Sequence, residues 1–104
     1  MTINFIYITF PNFEEASKIG RILIDENIVA CVNILPDITS IYKWEGKTEQ
    51  SSEIILIAKT TSNKFEQLEK RVTELHSYDT PCICALPIDR VNNDFTDWIK
   101  LQTN

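Results

Sequence analysis

The sequence predicts an α+β fold in which an antiparallel sheet packs against helices in the order β-α-β-β-α-β, followed by a short C-terminal helix. Two observations predict it. Runs of β-branched and aromatic residues alternate with runs of helical periodicity, and a short turn at Gly46 joins two predicted strands directly. The 104 residues suffice for one hydrophobic core but not for two. We therefore expect residues 1–104 to form a single domain.

The first predicted strand and helix lie in the N-terminal quarter of the chain. Residues 3–10 (INFIYITF) are rich in the side chains typical of strands. Asn12, with Glu15 three residues later, resembles a capping box, in which each side chain binds a free backbone N–H at a helix start. Apolar residues then recur at helical spacing and predict an amphipathic helix over residues 13–26.

The middle of the chain predicts a hairpin. Residues 28–35 (IVACVNIL) predict the second strand, which Pro36 interrupts or bends. Extended structure resumes over residues 40–44. Residues 45–47 predict the turn, and residues 53–60 (EIILIAKT) predict the returning strand.

The second helix and the last strand follow the hairpin. Asn63 and Glu66 repeat the capping-box spacing, and apolar residues at helical spacing then predict a helix that ends near His76. Residues 82–86 (CICAL) predict the fourth strand, which Pro87 closes.

Residues 94–101 (DFTDWIKL) predict the final helix and complete the order of the ferredoxin-like fold, whose two main helices cover one face of the sheet. The third strand is nevertheless apolar on both faces, with Ile54 and Leu56 on one side and Ile55 and Ile57 on the other. Large exposed apolar faces normally mark interfaces, so the pattern predicts a homo-oligomer. The alternative is that the final helix folds across the second face.

Composition argues against several classes of partner. A net charge of −5 and a pI near 4.8 oppose binding to nucleic acid, because phosphate binding needs clustered Lys and Arg. No apolar run reaches the length of a membrane span, and the first ten residues lack the pattern of an export signal. Three cysteines, an odd number, are typical of reduced thiols. We therefore expect a cytoplasmic protein without nucleic-acid or membrane partners.

The stretch HSYDTPCIC, residues 76–84, contains the only histidine and two of the three cysteines. Cys82 and Cys84 alternate with Ile83 and so point to the same face of a strand. Thiolate and imidazole ligands suit copper or zinc, which makes His76 and Cys82 the predicted metal ligands. Two ligands are too few for a closed tetrahedral site, so a third has to come from another subunit or an exogenous molecule. The alternatives are a helix-end role for His76 and a buried packing role for Cys84.

Three further side chains suggest either packing or ligand binding. Tyr42 and Trp44 share a strand face, where they pack across strands or subunits or else stack on a ligand. Lys59 ends an apolar strand and needs an anionic partner, either a carboxylate from a neighbour or a small anionic ligand. A lone histidine at a helix exit supports no Ser-His-Asp or Cys-His arrangement, so we predict no enzyme.

Five segments, taken in order, resemble the CutA divalent-cation-tolerance family. They are VACVNI (29–34), ITSIYKWEGK (38–47), LIAKT (56–60), LHSYDTPCICALPI (75–88) and DFTDWI (94–99). The resemblance implies a ferredoxin-like subunit in a tight homotrimer, in which long hairpins, here residues 29–60, reach neighbouring subunits. It implies metal binding and no enzymatic activity.

Individual residues match the family pattern unevenly, so each proposed site residue is compared separately. His76 stands where the family has its histidine, whereas Cys82 stands where the family usually has Glu, and Ile8 where some members have a further cysteine. Two functional hypotheses follow. The first is a trimeric metal-responsive protein that binds copper or another divalent cation. The second is a regulatory trimer with a small anionic ligand in clefts between subunits, near Lys59 and Tyr78, with Tyr42 and Trp44 available to contact it.

Overall fold

The computed structural model describes residues 2–104 as one four-stranded antiparallel sheet with three α-helices and a 3-10 turn. The strands are β1 (Ile3–Phe10), β2 (Cys31–Trp44), β3 (Lys47–Thr61) and β4 (Ile83–Ile88). The helices are α1 (Phe13–Asp25), α2 (Phe65–Leu75) and α3 (Asn93–Gln102), and the 3-10 turn is Ser62–Lys64. The strands lie in the order β2-β3-β1-β4. This confirms the predicted α+β fold and its C-terminal helix.

One face of the sheet carries the main hydrophobic core. Alternate residues of β1 and β3 point towards α1 and α2, namely Ile6, Ile8, Phe10, Ile54, Leu56 and Ala58. The two helices add Ala16, Ile19, Leu23, Leu68 and Val72. Gly20 lets α1 lie close to the sheet, because a Cβ at this position would be only 3.2 Å from side-chain atoms of Leu56 and Val32.

The two predicted capping boxes differ in outcome. Asn12 caps α1, since its side chain accepts a hydrogen bond of 2.8 Å from the backbone N–H of Glu15. The Glu15 carboxylate instead accepts hydrogen bonds from the backbone and hydroxyl of Ser77, at 3.1 and 3.0 Å. The prediction for Asn63 is wrong, because α2 has no side-chain cap and Asn63 accepts a hydrogen bond from the Thr61 hydroxyl.

Of the two proline predictions, the bend at Pro36 is confirmed and the strand end at Pro87 is wrong. β2 begins at Cys31 rather than residue 28 and passes through Pro36 with a shift of register, so the proline bends the strand without ending it. Asp37 there has φ 58°, and such a bulge is a common way to redirect a strand. Pro87 does not close β4, which continues to Ile88. Only β1 pairs with β4, and an edge strand tolerates the missing N–H of proline.

The β2–β3 hairpin extends well beyond the rest of the sheet. Glu45 (φ 49°) and Gly46 (φ 80°) form its turn, both in the left-handed conformation that a tight hairpin requires. Residues 38–44 pair with residues 47–53, whereas β1 pairs with β3 only from Ile54 onward. Residues 38–53 therefore form a two-stranded arm, in a molecule whose longest dimension is 45 Å.

The second face of the sheet is covered only at one end. Ile99 of α3 is fully buried against Ile3 and Ala30, with Val91 and Phe95 packed beside them. Elsewhere on this face, Leu35 and Leu86 remain 41% and 51% exposed. The alternative in which the final helix covers this face is thus realised only in part. Among residues 2–104, no helix is long and apolar enough to cross a membrane.

Candidate metal and ligand site

A cleft of about 750 Å³ lies where the arm joins the sheet. β1 contributes Tyr7 and Thr9, the arm contributes Ser40, Ile41, Tyr42, Trp44 and Glu53, and the segment after α2 contributes Ser77, Tyr78, Asp79, Thr80 and Cys82. Four of the six predicted site residues thus line one cleft: Tyr42, Trp44, Tyr78 and Cys82. Its size is that of an ordinary small-molecule site.

His76 lies behind this cleft as part of the fold. Its ring is buried and stacks on Phe10 with 4.6 Å between ring centroids. Nε2 is 2.8 Å from the Thr9 carbonyl oxygen, and Nδ1 accepts a hydrogen bond of 3.1 Å from the backbone N–H of Tyr78. These partners assign the tautomer with hydrogen on Nε2, which donates to Thr9. Both ring nitrogens are therefore already engaged.

A hydrogen bond between Tyr78 and Glu53 fixes one wall of the cleft. The Tyr78 hydroxyl donates to Glu53 Oε2 at 2.7 Å, and Glu53 is only 8% exposed. Burial raises the pKa of Tyr78, and the hydrogen bond to the Glu53 carboxylate and its negative charge raise it further. Sequence reasoning missed Glu53. The available signal was an acidic residue at the start of the apolar run EIILIAKT, on the same strand face as Ile55.

The two neighbouring cysteines lie side by side. Cys82 Sγ and Cys84 Sγ are 3.8 Å apart, which places both thiols on one side of the chain as predicted. Burial raises the pKa of Cys82, and the adjacent Cys84 thiol and the Glu53 carboxylate add to the rise. The buried packing role suggested for Cys84 is wrong for the single chain, where the residue is exposed, and Cys31 is half-buried.

Lys59 lies outside the cleft. Its Nζ donates a hydrogen bond to Asn33 Oδ1 and sits 5.5 Å from the centre of the Phe5 ring. Within the single chain, an amide oxygen and an aromatic face thus contact this cation in place of the anionic partner that the sequence suggested. Lys59 also acts on Cys31, where it partly offsets the rise in pKa that burial causes.

The chain matches the family model described as CutA1 divalent ion tolerance protein over residues 4–102. The chain belongs to the CutA1 family. The divalent-cation tolerance protein CutA of Archaeoglobus fulgidus is 51% identical over 96 residues, which cover 92% of this chain and 93% of that protein. The family description names tolerance to divalent ions and no chemical reaction.

Solved structures of CutA proteins have the same fold. The periplasmic divalent cation tolerance protein CutA of A. fulgidus superposes with a TM-score of 0.96 at 48% identity, covering 98% of this chain and 99% of that one. CutA1 of Oryza sativa gives a TM-score of 0.97 at 38% identity, covering 100% and 95%. The ferredoxin-like arrangement described above is therefore the CutA fold.

The donors that this CutA1 chain offers to a cation are few. Within residues 2–104, no three side chains of His, Cys, Asp or Glu lie close enough together to hold one metal ion. A cation at His76 has to displace a hydrogen bond to Thr9 or Tyr78, so the pairing of His76 with Cys82 stays a prediction. The adjacent Cys82 and Cys84 thiols are the donor pair that the geometry favours for a soft cation.

Proposed function

We propose that this chain is a non-catalytic, homotrimeric metal-binding protein that contributes to divalent-cation tolerance or homeostasis, with copper or a similar cation as its ligand. The observation that carries the proposal is family membership over residues 4–102. The cleft supports it, because its wall contains a thiol from Cys82 and a carboxylate from Glu53. Sulfur and oxygen donors together suit borderline and soft divalent ions.

The trimer in this proposal is supported by the arm and by the second face of the sheet. An isolated two-stranded ribbon is at best marginally stable in water, so residues 38–53 need a surface to pack on. Ile41 and Trp44 of the arm are 66% and 53% exposed, and Leu86 on the second face is 51% exposed. A neighbouring copy of the chain brings such surfaces together and removes them from water.

The absence of catalysis in this proposal rests on how the polar groups are used. The His76 nitrogens bond Thr9 and Tyr78, which leaves neither nitrogen free to take a proton from a substrate. The Cys82 thiol has a raised pKa, the opposite of what a nucleophilic cysteine needs.

Metal analysis and calorimetry test the proposed function. Protein purified without chelator should carry copper or zinc, and the stripped protein should bind Cu(II) or Zn(II) but not Mg²⁺. The same preparation should give three times the 12.0 kDa chain mass by light scattering. A folded protein that binds none of these ions would contradict the proposal.

A second candidate function is a regulatory trimer that binds a small anionic molecule in this cleft. The cleft volume of about 750 Å³ and the aromatic side chains Tyr42, Trp44 and Tyr78 favour it. The Glu53 carboxylate repels an anion and Lys59 lies elsewhere, so a neighbouring subunit has to supply the cation. A thermal-shift screen of anionic metabolites against metal ions separates the two functions.

We also propose a cytoplasmic location. The three cysteines are all free, which suits a reducing compartment. The A. fulgidus relative is described as periplasmic, so fractionation of the source cells with compartment markers is the direct test.

A further inference from the structure

Cys82 and Cys84 form a pair of thiols at the edge of the sheet. The residue between them, Ile83, begins β4, which pairs with β1 alone. The two sulfur atoms are 3.8 Å apart, and both cysteines are free. Cys82 forms part of the cleft wall, and Cys84 lies opposite Tyr7 across the β1–β4 pair.

The separation of the sulfurs matches a shared metal ion. Two thiolates bound to one cation at about 2.3 Å with a tetrahedral angle between them are about 3.8 Å apart. A disulfide needs about 2.05 Å, and a linear arrangement about 4.6 Å. We propose that Cys82 and Cys84 chelate a soft, thiophilic cation of the Cu(I), Zn(II) or Cd(II) class. The choice of a metal as the ligand rests on the proposed function.

This assignment replaces His76 with Cys84 as the partner of Cys82. The imidazole is buried and its two nitrogens bond Thr9 and Tyr78, whereas the Cys84 thiol is exposed in the single chain and its hydrogen-bond partner there is Cys82 itself. Chelation by the thiols therefore breaks no hydrogen bond that holds the fold. Each thiol releases its proton to solvent, and the cation takes the place of the two protons.

The pair fills only part of a coordination sphere. Within the described chain, no third His, Cys, Asp or Glu completes the site. Cys82 lines the cleft, so a cation held by the pair lies at the cleft wall, where water or a small exogenous thiol supplies the remaining ligands. Soft cations accept such mixed sulfur ligation, whereas Mg²⁺ and Ca²⁺ require oxygen donors.

Titration of the full chain with Cd²⁺ tests the site. Protein kept reduced under anaerobic conditions is titrated while the ultraviolet sulfur-to-cadmium charge-transfer band is recorded. The wild-type chain should bind one equivalent per subunit, and Cys82→Ser and Cys84→Ser should each weaken binding at least tenfold. Cys31→Ser is the matched control, because its thiol lies on β2 opposite Lys59, and it should leave the band unchanged.

The role of His76 is tested in the same titration without unfolding the protein. Under this proposal the ¹⁵N shifts of the wild-type imidazole stay unchanged when Cd²⁺ is added, and His76→Gln keeps the charge-transfer band. An imidazole signal that moves with the band, or a Cys84→Ser variant that binds Cd²⁺ as the wild type does, overturns the proposal.

If the Cys82→Ser/Cys84→Ser chain still binds Cu(II) or Zn(II) as the wild type does, the proposed function survives and the thiol site does not. If the wild type binds no metal, both fail.

Discussion

At the scale of single residues, His76 is the side chain whose role the structure changes most. It joins β1 to the loop after α2, because its ring packs on Phe10, bonds the Thr9 carbonyl and accepts the N–H of Tyr78. His76→Ala should therefore lower the free energy of unfolding by about 2–4 kcal/mol, through lost packing and two buried polar groups left unpaired. Urea denaturation measures the loss. Ser77→Ala, an exposed neighbour, is the control and should cost less than about 1 kcal/mol.

The ionisation of Tyr78 makes the stability of the folded protein depend on pH. Its pKa in the folded protein lies above the ordinary value of 10.0, so the neutral phenol is favoured by folding. The stability that follows from this shift is complete below about pH 10 and is lost as the pH rises through the folded-state pKa. Tyr78→Phe should cost about 1–3 kcal/mol at pH 7, because Glu53 loses its donor, and should flatten the loss of stability above pH 10.

The measurement for Tyr78 is urea denaturation at several pH values between 7 and 11, with Tyr42→Phe as the control. The Tyr42 hydroxyl bonds Ser51 at an exposed position, and its charge is only a lesser cause of the raised Tyr78 pKa, so Tyr42→Phe should change the alkaline profile much less than Tyr78→Phe does. Identical alkaline profiles for wild type and Tyr78→Phe would contradict the assignment.

At the scale of elements, the same capping-box spacing precedes two helices but produces a side-chain cap at only one of them. Asn12 accepts the Glu15 N–H and caps α1, whereas Asn63 caps nothing. Asn12→Ala should lower stability by about 1 kcal/mol. Asn63→Ala should cost less than that, since it loses one part-buried hydrogen bond from Thr61 but no helix cap. Thermal unfolding of the two variants side by side is the measurement, and equal losses would contradict it.

The elements that are determined by their own residues could be predicted from the sequence. The order of strands and helices follows from periodicity, and the hairpin turn follows from Gly46. The continuation of β2 through Pro36 depends on pairing with β3, which the local sequence does not contain. The site behaves in the same way. The alternation of Cys82 and Cys84 is local and was predicted, whereas the partners of His76 come from β1 and the loop after α2.

At the scale of the whole molecule, the proposed trimer rests on the arm and on the second face of the sheet. In that trimer the arm of one copy contacts the second face of the next, a head-to-tail contact between two different surfaces that a three-fold axis closes into a ring. The arm carries Ile41 and Trp44 into this contact, and the face offers Leu35 and Leu86.

Leu86→Glu tests this assembly, because it places a charge on the apolar face at a position that is already half exposed in the single chain. A buried, unpaired charge costs several kcal/mol per interface, so the mass by light scattering should fall from three times 12.0 kDa to a single chain at micromolar concentration. Ile24→Glu is the matched control, since Ile24 is a large apolar residue, 37% exposed, on α1 across the sheet. It should leave the trimer intact. A Leu86→Glu protein that keeps the wild-type mass would show that this face is not the interface, and a wild-type chain that stays a folded monomer would remove the trimer altogether.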